Sequence, residues 1–294
     1  EVKEQTDTTF IFNVTHFTNY STQSNAAPTQ GTPILNSTDP ALNDTLQNLT
    51  VYVQGLSDTP GSAVKNITNW YVNGSSMTLL HLPFEGNGRE GSNATDYSGF
   101  GNNATVFGAA FNGSGGYDGF GAYRFNGDGT GGTTSTYIVT KNTVDLSNRS
   151  AFSISHWINA NATTGSHIIL NIRAGDVATE IQNGQLCALT NNDAWKCTSA
   201  SILNNTWYHY VWVFDGTNDL LYVNGVLNAT LADNLPLSAN STVSIGSNQA
   251  LAFGFNGTID EVQIHNRSLS AAQVLALYNN RTDFIHSDET LKNE

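Results

Sequence analysis

A chain of 294 residues is long enough for one large β-domain and a smaller one, each with its own core. Charged residues make up only 12% of it, and 14 Phe, 11 Tyr and 5 Trp argue against a disordered chain. Lys and Arg number 11 against 24 Asp and Glu, a net charge of −13, so no basic stripe exists for phosphates and nucleic acid is disfavoured as a partner.

No apolar run approaches the roughly 20 residues that span a bilayer. The chain opens at Glu1 without a charged and apolar leader, which reads as a mature or excerpted sequence whose signal segment is gone. The first strand signal is "TTFIFNVTHF": Phe10, Phe12 and Val14 alternate on one face, Ile11 lies on the other, and Phe17 closes the run. A polar, Pro-containing linker follows, so residues 1–27 form an N-terminal strand and linker.

Residues 28–77 hold three strand signals, "TPILNS", "LQNLTVYVQG" and "KNITNWYVNG". Leu49, Val51 and Val53 share a face, as do Trp70 and Val72, a pattern that suits part of an immunoglobulin-like sandwich. Such a sandwich needs about seven strands, so this module is incomplete. From "MTLLHLPFEGNG" onward short strands and Gly-rich turns alternate for some 200 residues, the spacing of an all-β sandwich or jelly roll. One helix stands out, "SLSAAQVLALYNN", where Ser270 and Gln273 form a capping box and Val274, Leu277 and Tyr278 an apolar stripe.

Two features place the chain in an oxidising, extracellular compartment. Cys187 and Cys197 bracket "CALTNNDAWKC", a hairpin turning at Asn191, Asn192 and Asp193 that sets the two thiols opposite each other for a disulfide. The other feature is the Asn-x-Ser/Thr sequon, which occurs 18 times. The asparagines are Asn13, Asn19, Asn36, Asn43, Asn48, Asn66, Asn73, Asn93, Asn103, Asn112, Asn148, Asn161, Asn204, Asn228, Asn240, Asn256, Asn266 and Asn280. With 36 Asn in the chain, chance predicts roughly 7 sequons, so the excess reads as N-linked glycan sites. The alternative is that an Asn/Thr-rich β-protein collects sequons passively.

The segments "AYRFNGDG", "FSISHWINA", "NTWYHYVWVFDGTNDLLYVNGVLNATL" and "FNGTIDEVQIHNRSLSAAQVLALYNN" resemble, in that order, the successive motifs of laminin-G-like jelly rolls of the concanavalin A-like group. The resemblance covers residues 78–281, and the closing motif with its helix is its most specific part. The strands before it resemble an immunoglobulin-like segment placed ahead of such domains in archaeal cell-surface proteins. There the jelly roll interrupts the immunoglobulin-like domain, so the tail at 282–294 is expected to return to that module.

The same group includes glycoside hydrolases, which place carboxylates at alternate positions of one strand. No strand here offers that: Asp260 and Glu261 are adjacent and are expected on opposite faces, and Glu180 stands alone. Nucleophile elbows, metalloprotease motifs and phosphate loops are absent, and His156 and His209 read as structural residues, so no enzyme is expected. The resemblance implies instead a structural Ca2+ held by Glu85, Asp96 and Asp260, its first and last strands bringing Glu85 near Asp260. Against this, Asp96 can cap its own turn and Asp260 can bond a neighbouring loop. Trp195, near a hairpin tip with Asn192, Asp193 and Lys196, is the candidate carbohydrate platform, unless it packs on its own hairpin. Trp157, Trp207 and Trp212 lie in β-runs and read as core or near-core.

Two functions are open. One is a glycosylated surface subunit that polymerises head to tail, Phe10, Ile11, Phe12, Val14 and Phe17 being donated to the incomplete module of the next copy. The other is a calcium-supported carbohydrate-binding or adhesion module.

Overall fold

The computed structural model describes residues 2–6, 9–12, 28–37, 48–58, 64–85, 93–147, 149–173, 176–190, 194–233, 239–280 and 284–285. Alternation of apolar and polar residues drives two large antiparallel sheets whose apolar faces meet. One sheet runs Ala110–Asn112, Ala122–Asn126, Asn256–His265, Phe152–Ala160, Trp207–Phe214, Asn218–Val223 and Val226–Ala232. The other runs Lys196–Ser201, Gln185–Thr190, Val177–Gln182, Ser166–Ile172, Val243–Ile245, Tyr137–Thr140, Ala104–Phe107 and Asn93–Ala94. Between them lie Phe125, Ile138, Phe152, Ile154, Ile169, Trp212 and Phe255, all buried. This is the expected all-β jelly-roll sandwich.

The last long strand, Asn256–His265, organises the first sheet. Along one edge it pairs with Ala122–Asn126 over its first half and with Thr78–Leu82 over its second, Leu82 lying opposite Val262. The first and last strands of the sandwich are therefore neighbours. On the outer face of this sheet the helix Ala271–Tyr278 docks through Leu269 and Val274 onto Val211, Val213 and Tyr222. Its capping box is formed, with Gln273 N donating to Ser270 Oγ and Ser270 N to Gln273 Oε1.

A small sheet is assembled from Ile34–Ser37, Leu49–Tyr52 and the C-terminal Phe284–Ile285, with Leu49–Tyr52 in the middle. The segment holding Trp70 does not join it. Asn73 and Gly74 both take positive φ, so the chain reverses there and, among the described residues, Tyr71–Val72 pairs only with Ser75–Ser76. The third strand of the small sheet thus comes from the tail.

The structure divides into two units, residues 1–33 with 53–64 and residues 34–52 with 65–294. Within the first, Thr9–Phe12 pairs antiparallel with Val2–Thr6, Phe10 opposite Gln5 and Ile11 opposite Glu4. Thr29 and Ser57 form a further backbone bridge in that unit. Among the described residues no helix is long and apolar enough to cross a membrane.

Candidate functional site

Asp260 and Glu261 sit at an irregularity that the sequence pattern does not reveal. Ile259 and Val262 both enter the core although they are three residues apart, because the pairing with Phe152–Ala160 slips between Ser155 and Trp157 and Glu261 takes φ 51°. The extra residue brings both carboxylates out on the side away from the core. The expectation that these adjacent residues face opposite ways is thereby corrected.

Around them a Gly-rich turn closes. Tyr117 N donates to Asp260 Oδ2 at 3.0 Å and Gly121 N to Glu85 Oε2 at 2.9 Å. Gly116 passes so close that a Cβ there would lie 2.6 Å from Asp260 Oδ2. At the centre is the ammonium of Lys65, paired with Glu85 at 2.5 Å and with Asp118 and Glu261. Burial, and then the Glu261 charge, pushes the Asp260 carboxyl well above its ordinary range. Burial would also raise Glu261, but His81, 3.9 Å away, and the Lys65 charge outweigh it and hold Glu261 low.

Oxygens of Glu85, Asp118 and Glu261 lie within 4.8 Å of one another, a donor set suited to a hard cation. Lys65 already occupies the centre of that set, so the residues fit Ca2+ only if the lysine leaves. Of the three residues read as calcium ligands, Glu85 and Asp260 meet at this cluster. Asp96 is engaged elsewhere: its carboxylate accepts from His81 N, Ser98 N, Ser98 Oγ and Asn102 N at 2.6–2.9 Å, holding its own turn. The sequence reading missed Lys65 and Asp118. The one available signal for Lys65 was its rarity, as one of 11 cations.

The Cys187–Cys197 disulfide is formed across paired strands. Trp195 beside it is half-buried. The neighbouring Lys196 ammonium turns inward to Asp219 at 3.0 Å and Asp233 at 2.5 Å, and Asp219 also accepts from the Trp212 indole at 2.6 Å. Burial raises the Asp219 carboxyl to about 7. Asn191, Asn192 and Asp193 lie outside the described residues.

Trp212 is in the core, whereas Trp157 is buried on the outer face, stacked between Tyr117 at 3.2 Å and Tyr278 at 5.6 Å between ring centroids. Trp207 meets Tyr117 edge-on and is half-buried. His156 and His209 are buried and bonded to Thr179 and Ser155. Glu180 is buried too, and accepts from Ser166 Oγ.

Of the 18 sequons, those at Asn13, Asn19, Asn43 and Asn148 lie outside the described residues. None of the other 14 asparagines is buried. Of the proposed assembly strand, Phe10, Ile11 and Phe12 lie in the N-terminal hairpin, while Val14 and Phe17 fall outside the described residues.

Comparison with known proteins agrees with this architecture. Residues 130–275 match the Laminin_G_3 family of the concanavalin A-like lectin/glucanases superfamily, and the fold is concanavalin A-like. A botulinum neurotoxin type C chain, whose cell entry depends on two ganglioside molecules, is 17% identical with a TM-score of 0.53 over 70% of this chain. The botulinum neurotoxin serotype G binding domain is 20% identical with a TM-score of 0.54 over 69% of it. In both cases the match takes in only 51% of the neurotoxin chain, about half its length. Domain 4 of AbnA, an extracellular arabinanase from Geobacillus stearothermophilus solved with arabinotriose, is 21% identical with a TM-score of 0.53. That match covers 68% of this chain and 98% of the arabinanase domain. No curated protein sequence matches.

Proposed function

We propose that the chain is a non-enzymatic, N-glycosylated subunit of an extracellular surface structure, joined head to tail by strands exchanged between copies. The observation that carries this is the small sheet. Among the described residues it has three strands, and Ile34, Leu35 and Tyr52 are 48%, 55% and 51% exposed on it. Open strand edges beside exposed apolar side chains are what an added strand covers.

The donor is the segment bearing Phe10, Ile11, Phe12, Val14 and Phe17. Among the described residues of its own chain, Thr9–Phe12 pair only with Val2–Thr6. An isolated two-stranded hairpin is marginally stable in water, so releasing this one costs little. Repeating the contact heterologously gives an open filament, not a closed ring. The disulfide and the absence of buried sequon asparagines among the described residues support an extracellular location and a glycan coat. Commitment of the clustered carboxylates to Lys65 supports a non-enzymatic role.

Negative-stain electron microscopy of the full chain beside a version lacking residues 1–17 tests this reading. Filaments from the full chain alone support it, and monomers from both refute it.

A second reading, carbohydrate recognition supported by calcium, is favoured by the neighbours whose descriptions name gangliosides and arabinotriose. It predicts glycan-array binding that Trp195→Ala abolishes and that chelation weakens. Its calcium would have to displace Lys65 from Glu85, Asp118 and Glu261.

A further inference from the structure

Away from the Lys65 cluster, the turn at 97–102 and the stretch at 142–145 border a cleft of about 410 Å³ lined by Leu79, Phe100, Asn102, Asn142, Asp145 and Arg149. Sites for small molecules run to about 300–1,000 Å³ and combine apolar walls with a few placed polar groups. One wall is tied down by the Asp96 carboxylate, which accepts from Ser98 N and Asn102 N. Gly99 and Gly101 take φ 89° and 71° on either side of Phe100, so the turn is tight and the Phe100 side chain is left 51% exposed.

The four polar side chains named in this lining share one feature: part of each is fixed to the protein and part is left open. Asn102 is 6% exposed, and its Nδ2 donates to Leu79 O at 2.9 Å, which leaves Oδ1 as an acceptor. Asn142 Nδ2 donates to Gly101 O at 3.0 Å, again leaving Oδ1. Asp145 Oδ1 accepts from Ser147 N and Ser147 Oγ, leaving Oδ2. Arg149 Nε donates to Asp145 O at 2.8 Å, and among the described residues nothing hydrogen-bonds its two Nη groups. Side chains anchored in this way lose little freedom when a ligand arrives.

We propose that this cleft binds a neutral sugar ring: its apolar face on Phe100, hydroxyls donating to Asn102 Oδ1, Asn142 Oδ1 and Asp145 Oδ2, and one hydroxyl accepting from the Arg149 guanidinium. Acceptors outnumber donor groups here, so the ligand must bring donors, which hydroxyls supply and an ionised carboxylate does not. Asp145 and Arg149 carry opposite charges, and the chain as a whole carries −13, so nothing in the cleft favours an anion. The exposed aromatic ring gives the apolar face of a sugar a surface to cover. The inference shares its ligand class with the second reading above but uses neither Trp195 nor calcium, and filament assembly neither requires nor excludes it.

Nuclear magnetic resonance titration of the isotope-labelled intact chain tests the assignment, with the methyl glycosides of D-glucose, D-galactose and D-mannose as probes, each beside its matching uronate. Asn103, next to Asn102, is a sequon asparagine, so the chain is produced in a host that adds no glycan and forms the disulfide. At least one neutral glycoside is expected to bind and to shift the amides of Phe100, Asn102 and Arg149, its uronate binding about tenfold or more weakly. Phe100→Ala and Asn142→Ala should each weaken the glycoside about tenfold or more, and both should melt as wild type does because both side chains are exposed. Trp195→Ala should bind unchanged. The proposal is overturned if none of the three neutral glycosides binds, if the uronate binds as tightly, or if Phe100→Ala keeps full affinity. Binding lost in Trp195→Ala and kept in Phe100→Ala would leave the second reading standing and sink this one.

Discussion

The ammonium of Lys65 stands 2.5 Å from Glu85 and pairs as well with Glu261, a residue 196 positions later in the chain. A protein cation thus occupies the point where carboxylates from separate segments converge. Removing it by Lys65→Met leaves several buried acids uncompensated, which typically costs about 3–5 kcal/mol. Millimolar Ca2+ should then raise the melting temperature of the variant, since an ion that binds only the folded state stabilises it. Wild type should melt alike in Ca2+ and in EDTA. An equal rise in wild type would mean that calcium, and not Lys65, is the resident cation.

The Cys187–Cys197 bridge closes a loop with a sequence separation of 10. A closure of that size is worth about 2–3 kcal/mol through the unfolded chain. Reduction, or the double substitution to Ser, should lower the melting temperature without abolishing the fold, because Cys187 lies on a strand paired on both sides. Thermal melts followed by circular dichroism with and without reductant would measure the drop.

His156 is wholly buried, and desolvation lowers its imidazole to about 3. Its folded value lies below the unfolded one near 6.5, so protons bind the unfolded chain preferentially between those limits. Stability contributed by the neutral ring is therefore complete above about pH 6.5 and is lost as pH falls toward 3. His156→Gln, which keeps a hydrogen bond toward Thr179, should shallow the acid slope by about 1.4 kcal/mol per pH unit relative to wild type. Parallel denaturant titrations at pH 4.5, 5.5 and 6.5 read the difference, and identical slopes would refute it.

Produced in an N-glycosylating host, the chain should exceed its unmodified mass of 31.6 kDa. Peptide mapping should find glycans on the exposed Asn36, Asn73, Asn93, Asn103, Asn112, Asn204, Asn240 and Asn280. Asn161 should stay empty, because its Nδ2 donates to Asn256 Oδ1 at 3.0 Å. Full occupancy at Asn161 with none at the exposed sites would overturn this ordering.

Much of the sandwich was legible from local pattern. Alternation in "FSISHWINA" and "WYHYVWVF" gave adjacent strands, and the Ser270–Gln273 box gave the helix start. Where local reading failed, a turn or a distant segment prevailed. The "NWYVNG" segment has strand propensity, yet positive φ at Asn73 and Gly74 folds it into a two-residue hairpin. Phe284–Ile285 then fills the strand position that Trp70 had suggested.

The sequence by itself determined the all-β class, the paired cysteines and the density of sequons, because each follows from spacing within a few residues. Only the tertiary structure decided where the chemistry sits. A single bulge puts Asp260 and Glu261 on one side, Tyr117 reaches Asp260 across 143 positions, and Lys65 arrives from outside the long strands. Such meetings depend on sheet register and on the order of strands across it, which residue patterns inside any one strand do not encode.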